Sequence, residues 1–355
     1  MQSSNMLNQF CKLGLLALTF VLIAAGCTKE PLYQSKSYVF GTLVDITIYG
    51  ENDDTARAAS SSVMQHFQAL HNQLHPWEMG SELAKLNDAF AHENQPVPIS
   101  ANLAEIIQSA QQLSVQSGGL FNPAIGGLIV TWGFQRDEFK AFKVDETAIK
   151  QWVQANPKIT DLVIEKGMIL TKNNSVRVDL GGYAKGYALD MARRDLQTKG
   201  IKNALINLGG NIIALGQHDG KPWRVGIQHP RQPGAIATLD LRDGWAIGTS
   251  GDYQRYFELD GKRYCHIIDP RTGYPVQGVE AVTVLIPPAE HAGLLSDVAS
   301  KPIFISAPAE RLKAALQMGV ENVLLIDGKG DIYATPSMQK QLKMTEPNAK
   351  LATLH

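Results

Sequence analysis

The stretch VRVDLGGYAKGYALD, residues 176–190, sets a short β-branched run against a helix-forming run, with two glycines and a lysine near the join. The alternating valines before Asp179 read as a strand, and the segment after Gly182 reads as a helix. Glycine lets the main chain come close to a ligand, and free N–H groups at a helix start attract negative charge. Lys185, one turn in, can fold back onto an anion bound there. An ordinary tight turn would use the same glycines, so the stretch by itself supports an anion site and a plain turn equally.

Upstream, YVFGTLVDITIYG carries a strand after Gly41, and DTARAASSSVMQHFQALHNQLH has the apolar spacing of a long helix. Ser81 is placed to cap a short helix over SELAKLN, and Gly118 and Gly119 suit the left-handed positions after a helix through 101–117. LFNPAIGGLIVTWGF, residues 120–134, is apolar yet broken by proline and glycine, and reads as a pocket-lining loop. A helix and the strands MILTK and SVRVDL precede the helix that the opening stretch starts. Downstream, INLGGNI, WRVGI, IATLDL, WAIGTS and AVTVLIP read as strands, and FELDGKRY and LLIDGKGDIY as hairpins. Helices are expected over 289–301 and 308–318, and the polar segment 336–355 as a fraying tail. Strands and helices mix without strict βαβ alternation, so the expected class is α+β with a mixed sheet.

The chain has 355 residues, 44% of them hydrophobic and 19% charged, with a formal net charge of −1. That balance gives no basic surface for nucleic acid, so any phosphate recognised belongs to a small ligand. Lys12 precedes the apolar run LGLLALTFVLIAA, too short for a comfortable membrane span and right for a secretory signal core. Small residues lead into Cys27, as in the lipobox of bacterial lipoproteins; a plain cleavable signal or an uncleaved anchor is the alternative. Processing at Gly26/Cys27 would leave Cys27, lipidated, and Cys265, with no disulfide framework.

The familiar catalytic motifs are missing: no G-x-G-x-x-G after a strand, no Walker lysine, no HExxH and no CxxC pair. The nine histidines show no metal-ligand spacing. Ser250 in GTSGDY lacks the nucleophile elbow and reads as a turn serine. What remains is Asp179, Gly181, Gly182 and Lys185 in one place, and HIIDPRTGYP, residues 266–275, in another. Asp269 suits a turn role in DPRTG. His266 can move a proton near neutral pH.

Taken together, FGTLVDI, SELAKLN, GGLFNPAIGGLIVTWGF, VDLGGYAKGYALD, INLGGNI, GTSGDYQRYFELDGKRYCHIIDPRTGYP and SDVASKPIF, in this order, resemble the ApbE family of FAD:protein FMN transferases. The likeness spans about residues 38–335. It implies a two-lobed, mixed-sheet, T-fold-like α+β architecture. Residues 1–26 would be a lipoprotein signal peptide, 27–37 a linker from lipidated Cys27, 38–335 the transferase domain and 336–355 a tail. The implied reaction splits FAD at its pyrophosphate with the help of Mg2+. FMN passes to a threonine of an acceptor protein, such as a subunit of a membrane redox complex, and AMP is released.

By position, the resemblance assigns Gly182 and Asp297 to the metal, and Asp179, Lys185, Leu120, Phe121, Asn122 and Ile268 to FAD. Phe40 and Trp77 stand where the family has Met and an aromatic, and His266 where a histidine activates the acceptor hydroxyl. The implied location is the bacterial cell envelope, anchored by lipid and facing the periplasm, with the inner membrane expected; Thr28 after Cys27 does not by itself choose between inner and outer membrane.

One departure touches the metal. The family commonly reads D-x-x-x-T, whereas this chain reads Asp297-Val-Ala-Ser300-Lys301. An ammonium is a poor Mg2+ ligand and repels the cation. Ser300 could supply the missing oxygen, or water could, or Lys301 could put its own charge there with weaker or no metal binding. A simple Lys301–Asp297 pair in a helix running on to Pro302 is the structural alternative. Two further functions stay open: an FAD pyrophosphatase giving FMN and AMP, and a non-catalytic FAD-binding lipoprotein.

Overall fold

The computed structural model describes residues 30–92, 95–136, 138, 140–345 and 349–355. The expected signal peptide and Cys27 lie outside the described residues.

Strands β1 (Leu32–Val39) and β2 (Thr42–Tyr49) form a hairpin, followed by helices α1 (Asp53–Leu74), α2 (Glu82–His92) and α3 (Ala101–Gln116), with β3 (Val97–Pro98) between the last two. Next come α4 (Gly126–Thr131), α5 (Glu146–Ala155), β4 (Leu162–Glu165), β5 (Met168–Thr171) and α6 (Ala184–Thr198). The strands β6 (Ala204–Leu208), β7 (Asn211–Leu215), β8 (Trp223–Gln228), β9 (Ala235–Leu241) and β10 (Ala246–Gly251) follow, then the hairpin β11 (Tyr256–Leu259) and β12 (Lys262–Cys265) and strand β13 (Val279–Ile286). The chain ends with α7 (Ala292–Val298), α8 (Ser300–Ile305), α9 (Arg311–Gln317), β14 (Asn322–Asp327), β15 (Ile332–Ala334), α10 (Pro336–Gln339), β16 (Lys343–Met344) and β17 (Leu351–Thr353).

A nine-stranded sheet in the order β1-β2-β6-β7-β10-β13-β14-β15-β17 organises the molecule. Its neighbours pair antiparallel except β15 and β17, which run parallel. The class is therefore α+β with a mixed sheet. One face buries Val44, Ile46 and Ile48 of β2 against Ala56, Val63 and Phe67 of α1 and Leu189 of α6. The opposite face buries Ile212, Ile247 and Leu285 against Trp223, Val225 and Leu239 of the small sheet β16-β9-β8. β13 is covered on both sides and is buried along its whole length, which explains its unbroken apolar run, whereas β8 alternates buried and exposed.

Four expectations change. The proposed linker 27–37 contains most of β1, because alternating Tyr33, Ser35 and Ser37 pair with β2 despite their polar neighbours. Residues 126–131 of the expected loop form α4; Gly127 lets the Trp152 indole pass where a Cβ would clash at 2.3 Å. SVRVDL makes only an isolated bridge, Arg177 to Ile125, since its N–H and C=O groups bond the chain at 123–126 rather than a strand. The tail folds back as α10, β16 and β17, burying Met338 and Leu354 under the sheet edge.

Candidate active site

Asp179 and the turn Gly181–Tyr183 lead into α6. The Asp179 carboxylate accepts the Gly181 N–H at 2.7 Å. α6 has no side-chain cap of its own. A residue from α7 substitutes: Asp297 Oδ2 accepts the Gly186 N–H at 3.0 Å. A carboxylate there satisfies an orphan donor and faces the positive end of the helix dipole. This close crossing requires Gly186, where a Cβ would come 2.5 Å from Gly293 O and 2.7 Å from Asp297 Cβ.

α7 breaks from α8 at Ala299, and the break turns Lys301 back along the helix axis. Lys301 Nζ donates to Asp297 Oδ1 at 2.5 Å and to the Asp297 carbonyl at 2.6 Å. The lysine stem crosses Gly182, where an added Cβ would lie 2.9 Å from Lys301 Cε. Ser300, one candidate for the missing metal oxygen, lies at the same Asp297 carbonyl that Lys301 holds. Its hydroxyl donates to the Asp297 carbonyl at 2.9 Å and lies 2.7 Å from Ser250 Oγ.

The β11–β12 hairpin supplies the opposite wall. Tyr256 pairs with Cys265, so the next position outward sets Arg255 against His266, whose N–H donates to the Arg255 carbonyl at 3.0 Å. The imidazole Nδ1 lies 3.3 Å from the same oxygen. Arg255 itself donates to the Phe134 carbonyl at 2.6 Å.

These groups form one electrostatic unit. Burial, with Arg255, Lys185 and Lys301 close by, pushes the His266 imidazole down to about 3. Burial also lowers Lys185, where the pull of Asp297 is opposed by Lys301 and Arg255. Asp179 is raised by burial, against the Gly181 N–H, Arg255 and His75. Burial works to raise Asp297 too, but Lys301 and Lys185 overrule it and hold the carboxyl below its ordinary value. A site with three basic side chains around a half-buried neutral imidazole is arranged for an anionic ligand.

The other expected contacts divide. Phe40 packs edge-on against His71 at 5.4 Å, His71 against His75 at 5.2 Å, and His75 Nδ1 accepts the backbone N–H of Trp77, so Phe40 and the Trp77 main chain adjoin one run of histidines whose last member, His75, acts on Asp179. The 120–122 segment is tied to the same place, because the Asp179 N–H donates to the carbonyl of Pro123. Leu120 is half-buried and Phe121 buried, both packed with the main core. The Asn122 side chain is spent on the chain itself, donating to Pro157 O and accepting from Ala124 N. Ile268 is buried with Trp132 and Phe257 and bridges Pro275, so its side chain serves a separate cluster. Asp269 holds Arg271 by side chain and backbone, the turn role expected for it. Cys265 is packed, its thiol pushed up to about 12 by burial.

Arg255 and His75 were not singled out in the sequence. The first was within reach of it: a two-residue Asp-Gly turn at 260–261 fixes the hairpin register, and that register places Arg255 beside His266. Nothing local marks His75.

Mg2+ does not fit this donor set. Both Asp297 oxygens on the Lys301 side already accept from its ammonium, Oδ2 accepts from Gly186, and the Ser300 hydroxyl is bonded to Ser250 and Asp297. Among the described residues no group of three or more His, Cys, Asp or Glu is placed to hold a metal.

The chain is 39% identical over 336 residues to an FAD:protein FMN transferase of Rhodobacter capsulatus, covering 93% of this chain and 63% of that protein. It thus spans about 63% of that relative's length. It is 29% identical to an FAD:protein FMN transferase of Haemophilus influenzae, over 94% of this chain and 97% of that one. The crystal structure of the ApbE protein from Thermotoga maritima superposes with a TM-score of 0.79 at 27% identity, covering 88% of this chain and 99% of that one. The family model described as ApbE family matches residues 40–324, a span containing every site residue from Phe40 to Lys301, and the chain belongs to the ApbE family.

Proposed function

We propose that the chain is an FAD:protein FMN transferase. The observation that carries the reading is the gathering of Lys185, Arg255 and Lys301 about His266, with the Lys301 stem lying over Gly182. Basic side chains gathered there complement the negative charge of a dinucleotide pyrophosphate. Phe40 and Trp77 on the rim offer aromatic faces for the flavin and adenine rings.

In the proposed step a threonine hydroxyl of the acceptor protein attacks the FMN phosphorus of FAD. The new P–O bond forms as the bond to the bridging oxygen breaks, and AMP leaves with that oxygen. His266 takes the hydroxyl proton. Its low proton affinity keeps it neutral, and the bound pyrophosphate, by offsetting Arg255, Lys185 and Lys301, raises its basicity when the reaction needs it. The cations stabilise the charge that builds on the phosphoryl oxygens and the leaving AMP. No step is assigned to Mg2+.

We further propose that the protein is a lipoprotein held by Cys27 on the bacterial inner membrane and facing the periplasm. The support is the apolar run ending in the lipobox-like IAAGC. An acceptor subunit of a membrane redox complex would then lie within reach.

The test mixes the full-length protein, purified in detergent, with FAD and a candidate acceptor, and reads in-gel flavin fluorescence on the acceptor. Covalent flavin on a threonine, with stoichiometric AMP, is the expected result. FAD bound without either product would remove the transferase reading, and AMP with free FMN would show water attacking in place of threonine.

A further inference from the structure

We propose that Lys301 is the resident cation of this site, so that the chain binds the pyrophosphate of its dinucleotide without a divalent metal; this rests on the transferase reading for the identity of the ligand. Three observations converge. The Lys301 ammonium is bound by two oxygens of one residue, the Asp297 carboxylate at 2.5 Å and its carbonyl at 2.6 Å, as a small cation would be. Gly182 is bare because the lysine stem fills the space where its side chain would stand, with Cε 2.9 Å from an added Cβ. Ser300 and Ser250 fix the start of α8 through their hydroxyl pair, which orients the lysine back toward α6.

The charge arithmetic agrees. Asp297 brings a negative charge that Lys301 and Lys185 both face, and Asp179 is a second carboxyl in the pocket, raised by burial. A dication added beside Lys301 would meet an ammonium already holding the oxygens it needs, and hard cations bind oxygen rather than nitrogen. Lys301 instead adds its own charge beside Lys185 where the phosphates would lie. Gly182 and Lys301 are in this sense one device: the missing side chain of one makes room for the long side chain of the other.

The experiment measures FAD binding to the full-length protein in detergent by flavin fluorescence anisotropy, once after chelation and once with saturating MgCl2, together with thermal unfolding under both conditions. The two dissociation constants should agree within about twofold, and MgCl2 should leave the unfolding temperature of the FAD-free protein unchanged. Lys301→Thr should bind FAD about 10-fold or more weakly after chelation and recover with MgCl2, because losing the ammonium frees the Asp297 oxygens and the new hydroxyl adds an oxygen ligand that methionine lacks. Lys301→Met should lose affinity and not recover. A wild-type affinity that collapses on chelation overturns the proposal even if the variants do not fold. Flavin transfer abolished by chelator, with binding intact, overturns it as well. Metal-independent FAD binding with no covalent flavin under any condition leaves the resident cation standing and removes the transferase reading.

Discussion

Lys301 Nζ sits 2.5 Å from Asp297 Oδ1, an i,i+4 pair bent across the break between two short helices, with the carboxylate 2% exposed. A pair this buried is held by geometry more than by net attraction, because both ions have given up water. Its importance shows when one partner is removed.

Lys301→Met should therefore destabilise the fold by about 3 kcal/mol, the lower part of the range for breaking a buried pair, since Gly186 N–H still serves Asp297. Asp297 titrates below its ordinary 3.8 in the native state. Its contribution is then full above pH 3.8 and is lost as the pH falls through the depressed value. Urea unfolding of the wild type should weaken on acidification below about pH 4, and that slope should flatten in Lys301→Met. A loss under about 0.5 kcal/mol would mean the pair is not formed in solution.

His266→Ala should keep FAD binding and lose about 100- to 10,000-fold in transfer rate, the span for losing a positioned base. In the FAD-free protein the imidazole, pushed down to about 3, should show no titration between pH 8 and 5 by NMR. Titration near 6.5 would place the ring outside the field of Arg255, Lys185 and Lys301.

Two glycines one turn apart should respond differently. In Gly186→Ala the new methyl meets backbone of α7, Gly293 O at 2.5 Å and Leu294 Cα at 2.7 Å, and neither can yield alone. The cost should be about 1–3 kcal/mol in urea unfolding, and FAD affinity should fall as Asp297 shifts. In Gly182→Ala the methyl meets only the flexible stem of Lys301, so stability should change by less than about 1 kcal/mol while FAD binding weakens. Equal stability losses would show that Lys301 is as rigid as the helix backbone.

The α+β class, the long helices and most central strands were legible because their periodicity is enforced by burial on one or both sheet faces, as β2 and β13 show. β1 was not, since an edge strand half in water needs few apolar residues. SVRVDL has the composition of a strand but takes its partners from a loop, which no local pattern encodes. In the site, Asp179, Lys185 and His266 could be read because each sits in a distinctive motif, whereas Asp297 came only from the family resemblance. Arg255 needed the hairpin register, and the use of Gly182 as space for Lys301 needed the α6–α7 crossing, a contact between residues 119 positions apart.

Phe40 occupies the first central position of the β1–β2 turn with φ 54°, followed by Gly41 at 69°, and Val39 pairs with Thr42 across it. Two positive φ values mark a type I′ hairpin, where Asn-Gly is the favoured pair and a bulky residue is strained by roughly 1–2 kcal/mol. A chain keeps such strain where the side chain is needed, and here the ring is carried to the rim beside His71. Phe40→Asn should relieve the strain while losing a half-buried ring, leaving stability within about 1 kcal/mol of the wild type. FAD affinity should drop by up to about 10-fold through the lost aromatic contact. A stability loss above about 2 kcal/mol would make Phe40 a core residue whose burial outweighs its strain. Unchanged FAD affinity would move the flavin away from the hairpin and leave Trp77 as the aromatic wall of the rim.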